Sequence, residues 1–204
     1  MNGLVVPHAG YAYSGKVAGQ AYSLLKNQKI NKIIIFGPSH YEHFKGIASL
    51  ENIETPLGKV NISKNFFQKL KYEHSVMNQI PFLQKLFHHA EVLPIVVGEI
   101  TEKESKQIAE QFSKENALFV FSTDLSHFLS YDNATKKDKK TIEIIEKLNL
   151  KRLKEIDACG IFPLMILMNL CRIKNWKPEL IEYKNSGDIT GDKSSVVGYA
   201  SLKF

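Results

Sequence analysis

The chain has 204 residues, 44% of them hydrophobic and 24% charged, which is a globular composition long enough for one domain with a substantial core and excludes a largely disordered protein. Its net charge of +6 comes from 27 Lys and Arg against 21 Asp and Glu, and the densest basic run, at 136–140, falls inside a helical pattern as a solvated face. No aromatic-interleaved basic stripe, apolar run of membrane-spanning length or export signal accompanies it, and two cysteines are too few for a disulfide scaffold, so a cytoplasmic chain that binds neither nucleic acid nor membrane is expected.

Extended and helical patterns alternate along the sequence. Leu4-Val5-Val6 is a short apolar run cut off by Pro7 and Gly10, and residues 16–26 carry Val17, Ala18, Ala21, Leu24 and Leu25 at helical spacing. Ile33-Ile34-Ile35-Phe36 is a continuous run ended by Gly37-Pro38, the pattern of a strand buried on both faces. Residues 46–50 and 58–62 read as shorter strands, and 65–71 and 81–88 as helices. Residues 92–97 form a strand in which Pro94 predicts an edge or a bulge. A charged amphipathic helix at 103–114, a buried strand at 118–121 and a helix at 133–148 come next. An apolar helix at 161–171 and strands at 180–183 and 196–202 complete the chain. The alternation predicts a single α/β domain with a mainly parallel central sheet flanked by helices, the runs after Leu4, Ile33 and Leu118 being central and parallel.

The chemistry gathers just beyond those three runs. Pro7-His8-Ala9-Gly10-Tyr11 succeeds the first, Gly37-Pro38-Ser39-His40 the second, and Ser122-Thr123-Asp124-Leu125-Ser126-His127 the third. Ligands of open α/β sheets bind beyond the carboxyl ends of the strands. Asp124 and His127 would share one face if their segment were helical. Asp157-Ala158-Cys159-Gly160 adds a thiol at the start of the apolar helix, a position that favours thiolate. Imidazole, carboxylate and thiol groups together suit zinc, iron or copper. Surface roles are expected for His43, His88 and His89, and a core position for Cys171. Asp188 and Asp192 read as turn residues.

These motifs, with Thr55-Pro56-Leu57-Gly58, Glu73-His74-Ser75 and the closing Ser194-Ser195-Val196-Val197-Gly198-Tyr199-Ala200, stand in the order seen in the Memo family. The resemblance covers essentially the whole chain. In prokaryotes the family resembles the B component of the AmmeMemoRadiSam system, which implies AMMECR-type and radical-SAM proteins as partners. It also implies a fold similar to the class III extradiol dioxygenases, with non-haem Fe(II) as the metal and Cu or Zn as alternatives.

By the same resemblance the metal ligands match His8, His40 and Cys159, and Asp124 and His127 line the pocket as catalytic groups. His74 is expected behind the ligands. Cys159 stands where a dioxygenase carries a carboxylate, which softens the site and makes metal handling or another redox reaction as plausible as ring cleavage. The implied function is a metal-dependent, dioxygenase-like oxidoreductase acting on a small molecule. The alternative is a non-catalytic adaptor whose metal pocket binds a peptide or partner protein, and a weaker third reading is hydrolysis at a zinc-bound water. Two departures from the family pattern stand out. Only seven residues precede His8, where a few tens are usual, so an uncovered sheet edge is expected, and Met77 replaces a usual glutamate.

Overall fold

In a computed structural model describing residues 1–204, the first half of the chain runs β1 (Gly3–Val6), α1 (Tyr11–Ser23), β2 (Lys32–Pro38), β3 (Ile47–Leu50), β4 (Glu54–Thr55), β5 (Gly58–Lys59) and β6 (Gln68–Leu70). Helices α2 (His74–Met77) and α3 (Ile80–Leu86), strand β7 (Glu91–Val97) and helix α4 (Glu102–Phe112) come after them. The second half comprises β8 (Leu118–Ser122), β9 (His127–Leu129), α5 (Tyr131–Glu146), a 3-10 turn (Leu150–Glu155), α6 (Ile161–Lys174), β10 (Glu179–Asn185), α7 (Gly187–Thr190) and β11 (Val196–Lys203). No helix is long and apolar enough to cross a membrane.

One sheet carries the order β10-β11-β1-β8-β2-β7-β3-β6, with β9 paired onto β11. The four strands from β1 to β7 in that order are mutually parallel, while β11 on β1 and β3 on β7 are antiparallel. The runs at Leu4, Ile33 and Leu118 are therefore adjacent, parallel and interior. Side chains of a strand alternate between faces. Val5, Ile34, Phe36, Phe119 and Phe121 accordingly enter one apolar cluster, completed by Phe112 of α4, Ile145 of α5 and Leu167 of α6. Leu4, Val6, Ile33, Ile35, Leu118 and Val120 enter the other, beneath Ala18 and Tyr22 of α1 and Leu83 of α3. Burial on both faces is why these strands read as unbroken apolar runs. Strand β1 is paired on both sides, so it leaves no open edge.

Three local expectations need correcting. Residues 65–71 are not helical: they lead into the edge strand β6, parallel to β3, with Leu70 buried and Phe66 fully exposed. Pairing with β3 decides it: Gln68, Lys69 and Leu70 face Ala48, Ser49 and Leu50, and the ladder buries Leu70 at the sheet edge. The strand expected at 58–62 is split into the short β4–β5 hairpin and a bridge from Ile62 to Val92. Pro94 lies on an interior strand without a bulge, because its missing N–H falls between Val92, which donates to Asn61, and Ile95, where pairing with β3 begins.

Candidate metal centre

Because β1, β8 and β2 are neighbours and parallel, their carboxyl ends share one edge. Each delivers a polar group two positions past its last strand residue: Val6 to His8, Pro38 to His40, Ser122 to Asp124. Cys159 comes from the turn that precedes α6. Gly160 allows that approach, since a Cβ there would lie 2.6 Å from the Thr123 Cβ and Oγ1 atoms. Its N–H instead donates to Thr123 Oγ1 at 2.9 Å. Gly37 plays the matching part for α2, where a Cβ would collide with Ser75 Oγ. Ser75 Oγ donates to Pro38 O at 2.8 Å and locks Glu73-His74-Ser75 beside His40.

The ligand atoms of His8, His40 and Cys159 all lie within 4.8 Å of one another. His8 Nε2 is 3.3 Å from Cys159 Sγ. A tetrahedral ion bonded to nitrogen and sulfur at ordinary lengths holds them about 3.5 Å apart, so this pair already has the spacing of two ligands. His8 is 3% exposed. Its Nδ1 lies 2.9 Å from Ser122 Oγ, which in turn accepts from Gln79 Nε2 at 2.9 Å. Gln79 is fully buried and also donates to Pro7 O while accepting from Tyr22 O–H, so the back of His8 is tied into α1, α3 and β8.

Asp124 is buried, and its Oδ1 accepts the backbone N–H of His8 at 2.8 Å and of Ala9 at 3.3 Å. Its Oδ2 lies 3.9 Å from His8 Nε2. Residues 123–126 are not helical, so Asp124 and His127 do not share a helix face, and the carboxylate is engaged by the His8 loop. His127 opens β9, pairs with Val197, and packs its ring against Phe128. Asp138 of α5 steadies this segment by accepting Ser126 N–H at 2.9 Å and Tyr183 O–H at 2.8 Å.

Burial dominates the electrostatics. His8 is held well below the usual histidine value by burial and by the neighbouring His40 and His74 rings, which keeps it neutral and able to bind a metal. Burial raises the Asp124 carboxyl despite the two N–H groups it accepts. The Cys159 thiol is pushed up to about 12 by burial and by the Asp124 carboxylate. The thiolate expected from its place before a helix therefore does not form on position alone, because burial and a neighbouring negative charge outweigh the helix end.

Other expected positions separate clearly. His43, His88 and His89 are exposed, and Cys171 is in the core. Asp192 accepts from Ser194 as a turn residue does, whereas Asp188, expected in a turn, lies in the first turn of α7 and accepts from Tyr131 O–H and Asn185 N–H. Met77 packs against the apolar cluster under α1. His74 lies against them, its ring centroid 5.3 Å from that of His8 and 4.5 Å from that of His40. Sequence reasoning assigned no role to Glu73, Gln79, Ser122 or Asp138. Glu73 carried a signal, a carboxylate next to a histidine in a motif. Gln79 carried none.

Comparison with known proteins agrees with the motif order. The model of the Memo-like protein family matches residues 1–203. A MEMO1 family protein of Sulfurisphaera tokodaii is 35% identical, covering 98% of this chain and 81% of its own. One from Sulfolobus acidocaldarius is 36% identical with the same coverage, and one from Aquifex aeolicus is 34% identical over 98% of this chain and 85% of its own. Family model and relatives both span nearly the entire sequence, and on that ground the chain belongs to the Memo family.

Proposed function

We propose that this protein binds one transition-metal ion through His8, His40 and Cys159 and uses it in redox chemistry on a small oxygenated ligand. The observation that carries the reading is the meeting of two imidazoles and a thiol at one sheet edge, within 4.8 Å of one another. Nothing in the packing of an α/β core requires that combination. The donor set fits iron, copper or zinc, with Fe(II) preferred for its part in the related fold. Three protein ligands leave a position for a ligand from solution. When bound, such an ion supplies Lewis acidity and, if iron or copper, electron transfer.

The chain's own residues would do the rest. Ser122 and Gln79 hold the His8 ring from behind, and Asp124 fixes the loop that carries it. His127 is the candidate to exchange a proton with the ligand. AMMECR-type and radical-SAM proteins are the proposed partners. A second reading, a metal-bearing adaptor, is favoured by exposed rings at the rim: Tyr41 packs on His74 and Phe128 on His127 while remaining 61% and 77% exposed. Such rings suit contact with a peptide.

Elemental analysis of protein purified anaerobically, with circular dichroism to confirm folding, tests the metal reading. Close to one ion per chain is expected in the wild type, with loss of metal but not of fold in His8→Ala and Cys159→Ala. Equal metal content in all three would defeat it.

A further inference from the structure

Glu73 has the most unusual surroundings of any charged group outside the three proposed ligands. It is 1% exposed. Its Oε2 accepts the backbone N–H of His40 at 2.6 Å, and its Oε1 accepts that of Ser75 at 3.0 Å, capping α2. The same Oε1 lies 3.0 Å from His40 Nδ1 and 3.1 Å from His74 Nδ1. One buried carboxylate thus meets two imidazoles. Each of its oxygens accepts a backbone N–H, so both face the cluster as acceptors.

Two roles fit this cluster. The ligand atoms of His40, Glu73 and His74 lie within 4.8 Å of one another, as a second metal site would require. The hydrogen bonds argue against an ion there. Both Glu73 oxygens already accept a backbone N–H, and Oε1 also faces the His40 Nδ1 atom. An ion would have to displace the ring's N–H, and His40 would then lose its last proton to serve two metals at once. The His74 Nδ1 atom is buried and has no aligned partner, so it adds a contact to the carboxylate without adding a donor.

We propose that Glu73 is the positioning residue of the metal centre, holding the His40 proton on Nδ1 so that Nε2 is the nitrogen offered to the ion. A carboxylate can only accept, so the ring facing it must donate. A free imidazole has no such constraint, whereas a ligating histidine needs its metal-facing nitrogen bare, and a carboxylate behind it raises its basicity. The two histidines are backed differently: His8 by the neutral hydroxyl of Ser122, His40 by a charge. The role in metal binding rests on the reading of His8, His40 and Cys159 as ligands; the hold on the tautomer does not.

The test separates the two. Long-range proton–nitrogen NMR on the metal-free protein in mildly alkaline solution reports each ring's tautomer. His40 is expected as the Nδ1–H form in the wild type and in His74→Ala, and as a mixture with the Nε2–H form in Glu73→Gln, whose single amide oxygen cannot serve the ring and both backbone N–H groups. Zinc titration should then show one ion per chain, bound about 10–100-fold more weakly by Glu73→Gln, the usual cost of losing a group that orients a ligand. An Nε2–H His40 in the wild type overturns the proposal, and needs no variant to observe. Two zinc ions per wild-type chain, one of them lost in His74→Ala, would overturn it in favour of a second metal site. The expected tautomers without zinc binding would uphold Glu73's hold on His40 and overturn the metal reading instead.

Discussion

Removing the Asp124 carboxylate should destabilise the protein before it does anything else. Asp124→Ala leaves the His8 and Ala9 N–H groups, now 2.8 and 3.3 Å from Oδ1, without an acceptor beside a 3%-exposed imidazole. A buried donor left unpaired costs about 1–3 kcal/mol; with one short and one long bond, a total of about 2–4 kcal/mol is expected. That is a large share of the roughly 5–15 kcal/mol that holds a domain of this kind together, yet not enough to unfold it. Asp124→Asn keeps an oxygen in place of Oδ1 and should cost clearly less. Urea denaturation of the metal-free protein checks both, with an unchanged m-value showing that the same surface is being exposed. If Asp124→Ala proved as stable as the wild type, the carboxylate would not be tying down the loop, and the case for a role facing His127 or a bound ligand would return.

Single contacts elsewhere have measurable consequences too. Gly160→Ala forces a Cβ to within 2.6 Å of Thr123 and should cost about 1–3 kcal/mol as overpacking, with weaker metal binding because Cys159 moves with it; calorimetry with zinc reads the second effect. Burial raises the Asp138 carboxyl above its unfolded value, so the stability it contributes is complete below the unfolded aspartate range and is lost as pH rises through the folded value. Urea midpoints of wild type relative to Asp138→Asn should therefore fall between acid and neutral pH, and a constant difference would refute this. Phe128 holds φ at +58° with its ring 77% exposed, so Phe128→Gly should raise stability by up to about 1 kcal/mol, whereas a loss would show that its contact with the His127 ring outweighs the backbone strain.

The central sheet was legible because strands buried on both faces leave unbroken apolar runs, as Ile33 to Phe36 and Leu118 to Phe121 do. Their shared carboxyl edge is then a consequence of parallel pairing, which is how His8, His40 and Asp124 could be brought together without coordinates. The margins were less legible. Residues 65–71 carry apolar spacing that fits a helix, and pairing with β3, a contact between segments distant in sequence, holds 68–70 extended instead. The supports of the site were hidden in the same way. Gln79 reaches Ser122 and Pro7 across the fold, and Asp138, buried within the basic run at 136–140, reaches Ser126 from the inward face of α5, so neither leaves a local pattern. The protonation of Cys159 is illegible for the same reason, since its burial beside Asp124 is a tertiary property.

The most direct test of the metal centre is metal-edge X-ray absorption on the iron- or zinc-loaded protein. One sulfur at ~2.3 Å, with imidazole scattering from nitrogens at ~2.0–2.1 Å, is the expected shell, and the sulfur should vanish in Cys159→Ser. A shell of oxygen and nitrogen alone in the wild type would contradict it.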